Sequence, residues 1–312
     1  ACLAPALLVS AYLVYENYGL QRERLRRDTL LRARALVSDL DRELSALESG
    51  LRMLAISPAL VTGDLRSFHA RAREALIFQP VDNYVLTDRQ GRQHLNTLRD
   101  YGAPLPPTGT PPELQRVFDS GETVLSRLFT GALSDKHVVA IGVPVYRGVE
   151  IDYALSAGIS PPRIAAIVQH HVLPPQWVAA VLDGADSIVA RTRAAERFVG
   201  EKATSDLREQ LRLQNEGVLL SYSKEGVPTY AAFSHSSMSD WSVVVAAPRD
   251  AIEAPLYRSI AWLLLGATAA VAIGLTIASR LSARVSDSIR ALVAPARSLG
   301  SGRPVDLAPA TA

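Results

Sequence analysis

The side chains best suited to chemistry are six histidines, His69, His94, His137, His170, His171 and His235, and one cysteine, Cys2. Catalysis or metal binding would need them grouped at ligand spacing, or set beside a hydroxyl or carboxylate in a nucleophile pattern. No such spacing occurs. His170 and His171 are adjacent, so their side chains diverge, and the pair reads as a helix end. There is no G-x-G-x-x-G, no G-x-x-x-x-G-K-[ST] and no G-x-S-x-G segment, so none of these phosphate loops or nucleophile turns is present. A single cysteine permits no intrachain disulfide. The chain is therefore not expected to be an enzyme, to carry a cofactor or to hold a metal. Its function is expected to lie in binding.

Two apolar runs set the frame for that binding. Ser259 to Ser279 carries no charge and lies between Arg258 and Arg280. At about 1.5 Å per residue it makes roughly 30 Å of helix, the thickness of a bilayer core. Every backbone group in lipid must be satisfied within the segment, so a spanning helix is expected. Residues 1–15 are also uncharged and end at Glu16, with Tyr12, Tyr15 and Tyr18 as an interfacial aromatic cluster. This reads as a first transmembrane helix whose start is missing.

Between the runs lie 28 of the 33 basic and 29 of the 31 acidic side chains, a nearly neutral balance. Nucleic acid is not expected as a partner. Arg280, Arg284, Arg290, Arg297 and Arg303 follow the second run against Asp287 and Asp306, which marks a cytoplasmic tail. The enclosed region is expected outside the cytoplasm, with both ends inside.

The enclosed region opens on a long helix, from about Leu20 to Ile56. Leu36, Leu40, Leu44, Leu47, Leu51 and Leu54 recur at spacings of three and four and form one stripe. That stripe can pack on the domain behind it, on a partner chain, or on both. A short helix near Gly63 to Leu76 follows. Alternation and turn residues then place strands at 83–87, 93–98, 123–129, 138–144 and 153–159, with a helix from Pro161 to Val172. Pro174-Pro175 links to a second set of strands at 177–183, 187–193, 218–223, 229–235 and 241–246, with a helix at 205–213. The repeat is one of strand order. Its nearest residue-level echo is Thr87-Asp88-Arg89-Gln90-Gly91-Arg92 against Leu182-Asp183-Gly184-Ala185-Asp186-Ser187.

This order resembles the double Cache sensors of bacterial receptors: a long helix and two tandem PAS-like modules between transmembrane helices. Tyr84 to Arg92 is similar to the family's first hairpin. Ile188-Val189-Ala190-Arg191, Phe198-Val199-Gly200 and Ser239-Asp240-Trp241-Ser242-Val243 are similar to the second module's strand, loop and closing strand. Arg284 to Pro304 resembles the first helix of a HAMP signalling module, with Ser288 where a proline is common. The chain is expected to end within a longer protein. The fold class so implied is α+β, with antiparallel-sheet modules. The divisions are a first transmembrane helix at 1–19, a stalk helix at 20–57, a membrane-distal module at 58–172 and a membrane-proximal module at 173–257. A second transmembrane helix at 258–280 and a HAMP-like tail at 281–312 complete it.

The resemblance implies a small-molecule pocket on the concave face of the distal sheet. The candidates are Tyr84, His94, Asn96, Arg99, Tyr101, Arg127, Phe129, Asp135 and Tyr153. Strand alternation puts His94 and Asn96 on one face. Arg99 or Arg127 could grip a carboxylate by two hydrogen bonds. The family's amino-acid signature is present only in fragments, so an amino-acid or amine ligand is not supported over a carboxylate. The implied function is the periplasmic input region of an inner-membrane sensor histidine kinase. A chemoreceptor, a diguanylate cyclase or phosphodiesterase input, and a membrane-anchored binding protein are the alternatives. The lipid bilayer is the expected surroundings of the spans. A homodimer is expected because the leucine stripe and the HAMP-like helix both need a partner surface.

Overall fold

The leucine stripe fixes the backbone of the molecule. In a computed structural model that describes residues 3–106, 111–169 and 173–300, it lies on helix α1 (Leu3–Ala55). For residues 3–11, 13, 14, 251, 252, 255, 256 and 287–300 the backbone alone is described. Cys2, His170 and His171 lie outside the described residues. The chain divides into two units, residues 21–251 and residues 1–20 with 252–312.

Within the first unit, Leu36, Leu40, Leu44, Leu47 and Leu51 are buried, and they join side chains of two sheets in one core. Leu54 is half-buried against the same core. The stripe is thus consumed within its own chain and gives no reason for a dimer. Polar hooks fix α1 beside it. Arg34 pairs with Glu216 at 2.7 Å through Nε. Asp41 accepts hydrogen bonds from Ser236 Oγ and from the backbone N–H and Oγ of Ser237. Glu48 and Arg52 both bond Thr123.

Two short helices follow, α2 (Pro58–Val61) and α3 (Leu65–Ala75). Asp64 caps α3 by accepting the Ser67 N–H at 3.1 Å, which satisfies one of the free donors of a helix start. The first sheet uses β1 (Asn83–Thr87), β2 (Gln93–Asn96), β3 (Val124–Leu125), β4 (Phe129–Thr130), β5 (His137–Arg147) and β6 (Glu150–Ile159). A 3-10 turn (Pro112–Gln115) and α4 (Arg116–Ser120) lie between β2 and β3. The strand order is β2-β1-β6-β5-β3, with β4 also paired to β5.

After α5 (Pro161–Gln169) the second sheet runs through β7 (Val178–Leu182), β8 (Ile188–Arg191), β9 (Glu216–Tyr222), β10 (Pro228–His235) and β11 (Ser242–Pro248). Helices α6 (Ala195–Phe198) and α7 (Ser205–Leu213) connect β8 to β9. Its order is β8-β7-β11-β10-β9, so each module repeats one antiparallel plan.

One expected strand is broken. Residues 123–129 form β3 and β4 with a turn between, because the chain leaves the sheet at Arg127. The Leu128 N–H then donates to Asp183 Oδ2 of the second module at 3.0 Å instead of to a neighbouring strand.

Asp88 and Asp183 carry the repeat down to single hydrogen bonds. Asp88 Oδ1 accepts the N–H groups of Gln90 and Arg92. Asp183 Oδ1 accepts those of Ala185 and Ser187 at the equivalent offsets. The left-handed position, three residues on, is Gly91 (φ 78°) in one turn and Asp186 (φ 62°) in the other. Short polar side chains tolerate that region better than most residues, so Gly184 is not the residue bearing the turn.

In the second unit, helix α8 (Asp250–Gly300) contains Tyr257–Ser286, the one segment among the described residues long and apolar enough to cross a membrane. A second spanning helix at 1–19 rests mostly on side chains outside the described residues. The same holds for the HAMP-like stripe of Ile289, Leu292, Val293, Ala296 and Leu299.

Candidate ligand-binding site

Strand alternation gives the first sheet two faces of different character. Tyr84 and Leu86 join the core with α1. Asn83, Val85 and Thr87 line a cavity of about 120 Å³ on the other face. The hollow exists because small residues face one another there. Ala140 pairs with Gly158, and Gly142 with Ser156, across β5 and β6. At Gly158 an added Cβ would stand 2.2 Å from Asn83 Oδ1, so only glycine lets that amide lie flat over the strand.

A chain of amides forms one wall. Asn83 Nδ2 donates to Asn96 Oδ1 at 3.1 Å, and Asn96 Nδ2 donates to Gln93 Oε1 at 3.0 Å. Gln93 reaches this face through a bulge. Thr87 pairs with Gln93 while Leu86 pairs with Leu95, which leaves His94 as the extra residue. Opposite, Leu114, Phe129 and Leu133 supply apolar contact, and Lys136 and His137 stand at the end of the 131–136 loop. Ser156 is buried, and its Oγ has no hydrogen-bond partner among the described residues. Asp82 lines the edge, but its carboxylate already accepts the Ser160 N–H at 2.6 Å and Arg163 Nε at 2.8 Å.

Of the nine residues expected at the site, Asn96 and Phe129 line this cavity. Tyr84 lies on the α1 side, where burial pushes its phenol up to about 12. His94 is turned outward by the bulge, bonds Asp88 Oδ2 at 2.9 Å and meets the edge of Tyr153 at 5.3 Å. Burial works to raise the Asp88 carboxyl, but hydrogen bonds from His94 and Arg92 outweigh it and hold the carboxyl below its usual range. Arg99 and Tyr101 sit with α3: the Arg99 carbonyl meets His69 Nε2 at 2.9 Å, and Tyr101 stacks near His69 and Arg66. Arg127 is half-exposed, 3.8 Å from Glu113. Asp135 is exposed at φ 51° in the 131–136 loop. Neither arginine reaches the hollow.

Polar lining residues that sequence reasoning did not name are Asn83, Gln93, Ser156, Lys136 and His137. The usable signal was the set of small residues at alternate positions of neighbouring strands, Ala140, Gly142, Ser156 and Gly158.

The same face of the second sheet is nearly closed, with about 60 Å³ left. Arg191 fills it. This guanidinium is buried, makes two bonds to Glu225 at 2.7 and 2.8 Å, and lies 4.7 Å from the Phe198 ring centre. The first module is joined to the second beside the open hollow. Besides the Leu128–Asp183 bond, His137 packs over Gly200, where a Cβ would fall 3.2 Å from Nε2.

No family model and no curated protein matches the chain. Solved structures do. The extracellular domain of rpHK1S-Z16, assigned as a histidine kinase, superposes with a TM-score of 0.60 at 14% identity over 75% of this chain and 97% of that one. The ligand-binding domain of the Pseudomonas fluorescens chemoreceptor CtaA, in complex with L-isoleucine, gives 0.58 at 11% identity over 76% and 98%. That of the Pseudomonas aeruginosa PAO1 amino acid chemoreceptor PctB, in complex with L-Arg, gives 0.58 at 15% identity over 73% and 97%. With its two sheets of one strand order on a shared long helix, this chain has the fold of the extracellular ligand-binding domains of histidine kinases and chemoreceptors, the double Cache fold.

Proposed function

We propose that residues 21–251 are the extracytoplasmic, ligand-sensing input region of a transmembrane receptor in the bacterial inner membrane. The observation that carries this reading is the contrast between the two sheets. One keeps a polar hollow with an unsatisfied buried hydroxyl, while the other fills the same place with its own Arg191–Glu225 pair. A ligand shifts a receptor only by its difference in affinity for two arrangements. The wall of the hollow at 129–137 is also the segment fastened to Asp183 and Gly200, so occupancy and module packing share residues. In this reading the second module passes the change to α8, the span at 257–286 and a HAMP module, with a histidine kinase as the output. A homodimer belongs to the reading through the HAMP-like helix, which needs a partner surface, and not through α1.

The test is a melting screen of the full chain in lipid nanodiscs against carboxylates, amino acids, amines and purines. A ligand at one hundred times its dissociation constant adds about 2.7 kcal/mol of stability. Ser156→Val narrows the hollow and removes its free hydroxyl without breaking any described hydrogen bond, so it is expected to fold and to lose the response. Absence of any hit, or a hit that Ser156→Val leaves intact, would contradict a sensor site here.

A further inference from the structure

The polar groups of the hollow are unequal, and the inequality selects a ligand. Its unused groups include one amide acceptor, Asn83 Oδ1, and otherwise can donate. Gln93 spends its carbonyl oxygen on Asn96, which leaves its NH2 free, and the Ser156 hydroxyl is buried without a partner. Its charges are unequal too. Lys136, exposed at the mouth of the hollow, makes no ion pair with any described residue. The lining carboxylate, Asp82, is already matched by Arg163 and by the Ser160 N–H. An ammonium group entering here would lose its water and find no uncommitted carboxylate among the described lining residues, an expensive burial. A carboxylate would find a cation, an amide N–H and a hydroxyl, and charge-assisted hydrogen bonds of that kind are the strong ones.

Size and lining narrow the class. A cavity of about 150 Å³ holds benzene, so about 120 Å³ suits roughly five or six non-hydrogen atoms. Val85, Leu114, Phe129, Leu133 and Val138 offer an apolar wall to a short tail.

We propose that this hollow takes a small monocarboxylate with a short apolar tail and no ammonium group, its carboxylate held by Lys136, Gln93 and Ser156. The proposal rests on the sensor reading above and departs from the solved relatives, whose complexes hold amino acids.

The experiment is calorimetric titration of the full chain in nanodiscs at pH 7 with butyrate, butyramide and L-2-aminobutyrate. Butyrate is expected to bind at least tenfold more tightly than either analogue. Lys136→Gln is expected to weaken butyrate at least tenfold without changing the melting temperature of the free protein, and Ser156→Ala to weaken it several-fold. Equal or tighter binding of 2-aminobutyrate overturns the proposal in favour of an amino-acid site and leaves the sensor reading standing. Equal binding of butyramide, or a Lys136→Gln chain that binds butyrate as before, overturns it because the charge is then not read. If none of the three binds while another compound binds and is lost in Ser156→Val, the ligand class is wrong and the sensor is right. If nothing in any class binds, both fall.

Discussion

Asp183→Ala is expected to cost about 3–5 kcal/mol and to separate the unfolding of the two modules. Asp183 is 2% exposed, and its carboxylate accepts three backbone N–H groups, those of Ala185, Ser187 and Leu128. Hydrogen bonds to a charged group are worth about 1.5–3 kcal/mol each, and donors left unsatisfied in the interior add to the loss. The Leu128 bond crosses between modules, so cooperativity should fall along with stability. Urea titration followed by two probes reads this. Trp177 and Trp241 lie in the second module, Trp262 lies in the 257–286 span and the first module has no tryptophan, so with Trp262→Phe in both chains fluorescence follows one module and circular dichroism follows both. The two curves are expected to coincide in the parent chain and to split in the variant. Coincident curves with a loss under 1 kcal/mol would show that Asp183 serves only its own turn.

Glu225→Ala is expected to cost about 3 kcal/mol at neutral pH. It strands Arg191, which is 4% exposed on its side chain, in a closed interior. Removing one member of a buried pair costs about 3–5 kcal/mol. The low end applies because Glu225 keeps 35% of its side chain in water. The pair also sets an acid limit. The hydrogen bond from Arg191, above all, holds the Glu225 carboxyl down at about 2 against an ordinary 4.5. A carboxyl depressed on folding contributes its stability above the unfolded value and loses it as the proton is taken up. The contribution should therefore be complete above about pH 4.5 and fade from there toward pH 2. Melting temperatures of parent and variant should converge across that window. A constant gap down to pH 2 would assign the cost to packing and not to charge.

The parts of the fold legible in the sequence are those with a period. Leucines at spacings of three and four gave α1 its buried face, and the 205–213 helix and most strands followed from alternation and turn residues. The expected Asp88 and Asp183 echo is visible as matched turns because a short carboxylate at a turn start binds N–H groups two and four residues ahead in both modules. What the pattern could not carry is anything decided by a single residue of register. The bulge at His94 exchanged that imidazole for Gln93 on the hollow's face. Tyr84 looked available as a polar aromatic, yet an odd offset from Asn83 sends it into the α1 core. Arg127 looked like a carboxylate clamp on a continuous strand, and the turn that hands Leu128 to Asp183 carried it outward. The hollow itself depends on side chains that are small, and small residues are quiet in a search for chemistry. The leucine stripe lends the expected dimer no support for a related reason: a stripe says that a helix needs cover, not which surface provides it.

The most direct test of a sensor in the first module is hydrogen exchange on the full chain in nanodiscs, with and without the strongest hit of the melting screen. Slower exchange is expected in residues 83–96 and 129–138, extending to 183–200 through the Leu128–Asp183 and His137–Gly200 contacts. Slowing confined to the second sheet, at 216–248, or exchange unchanged throughout, would contradict it.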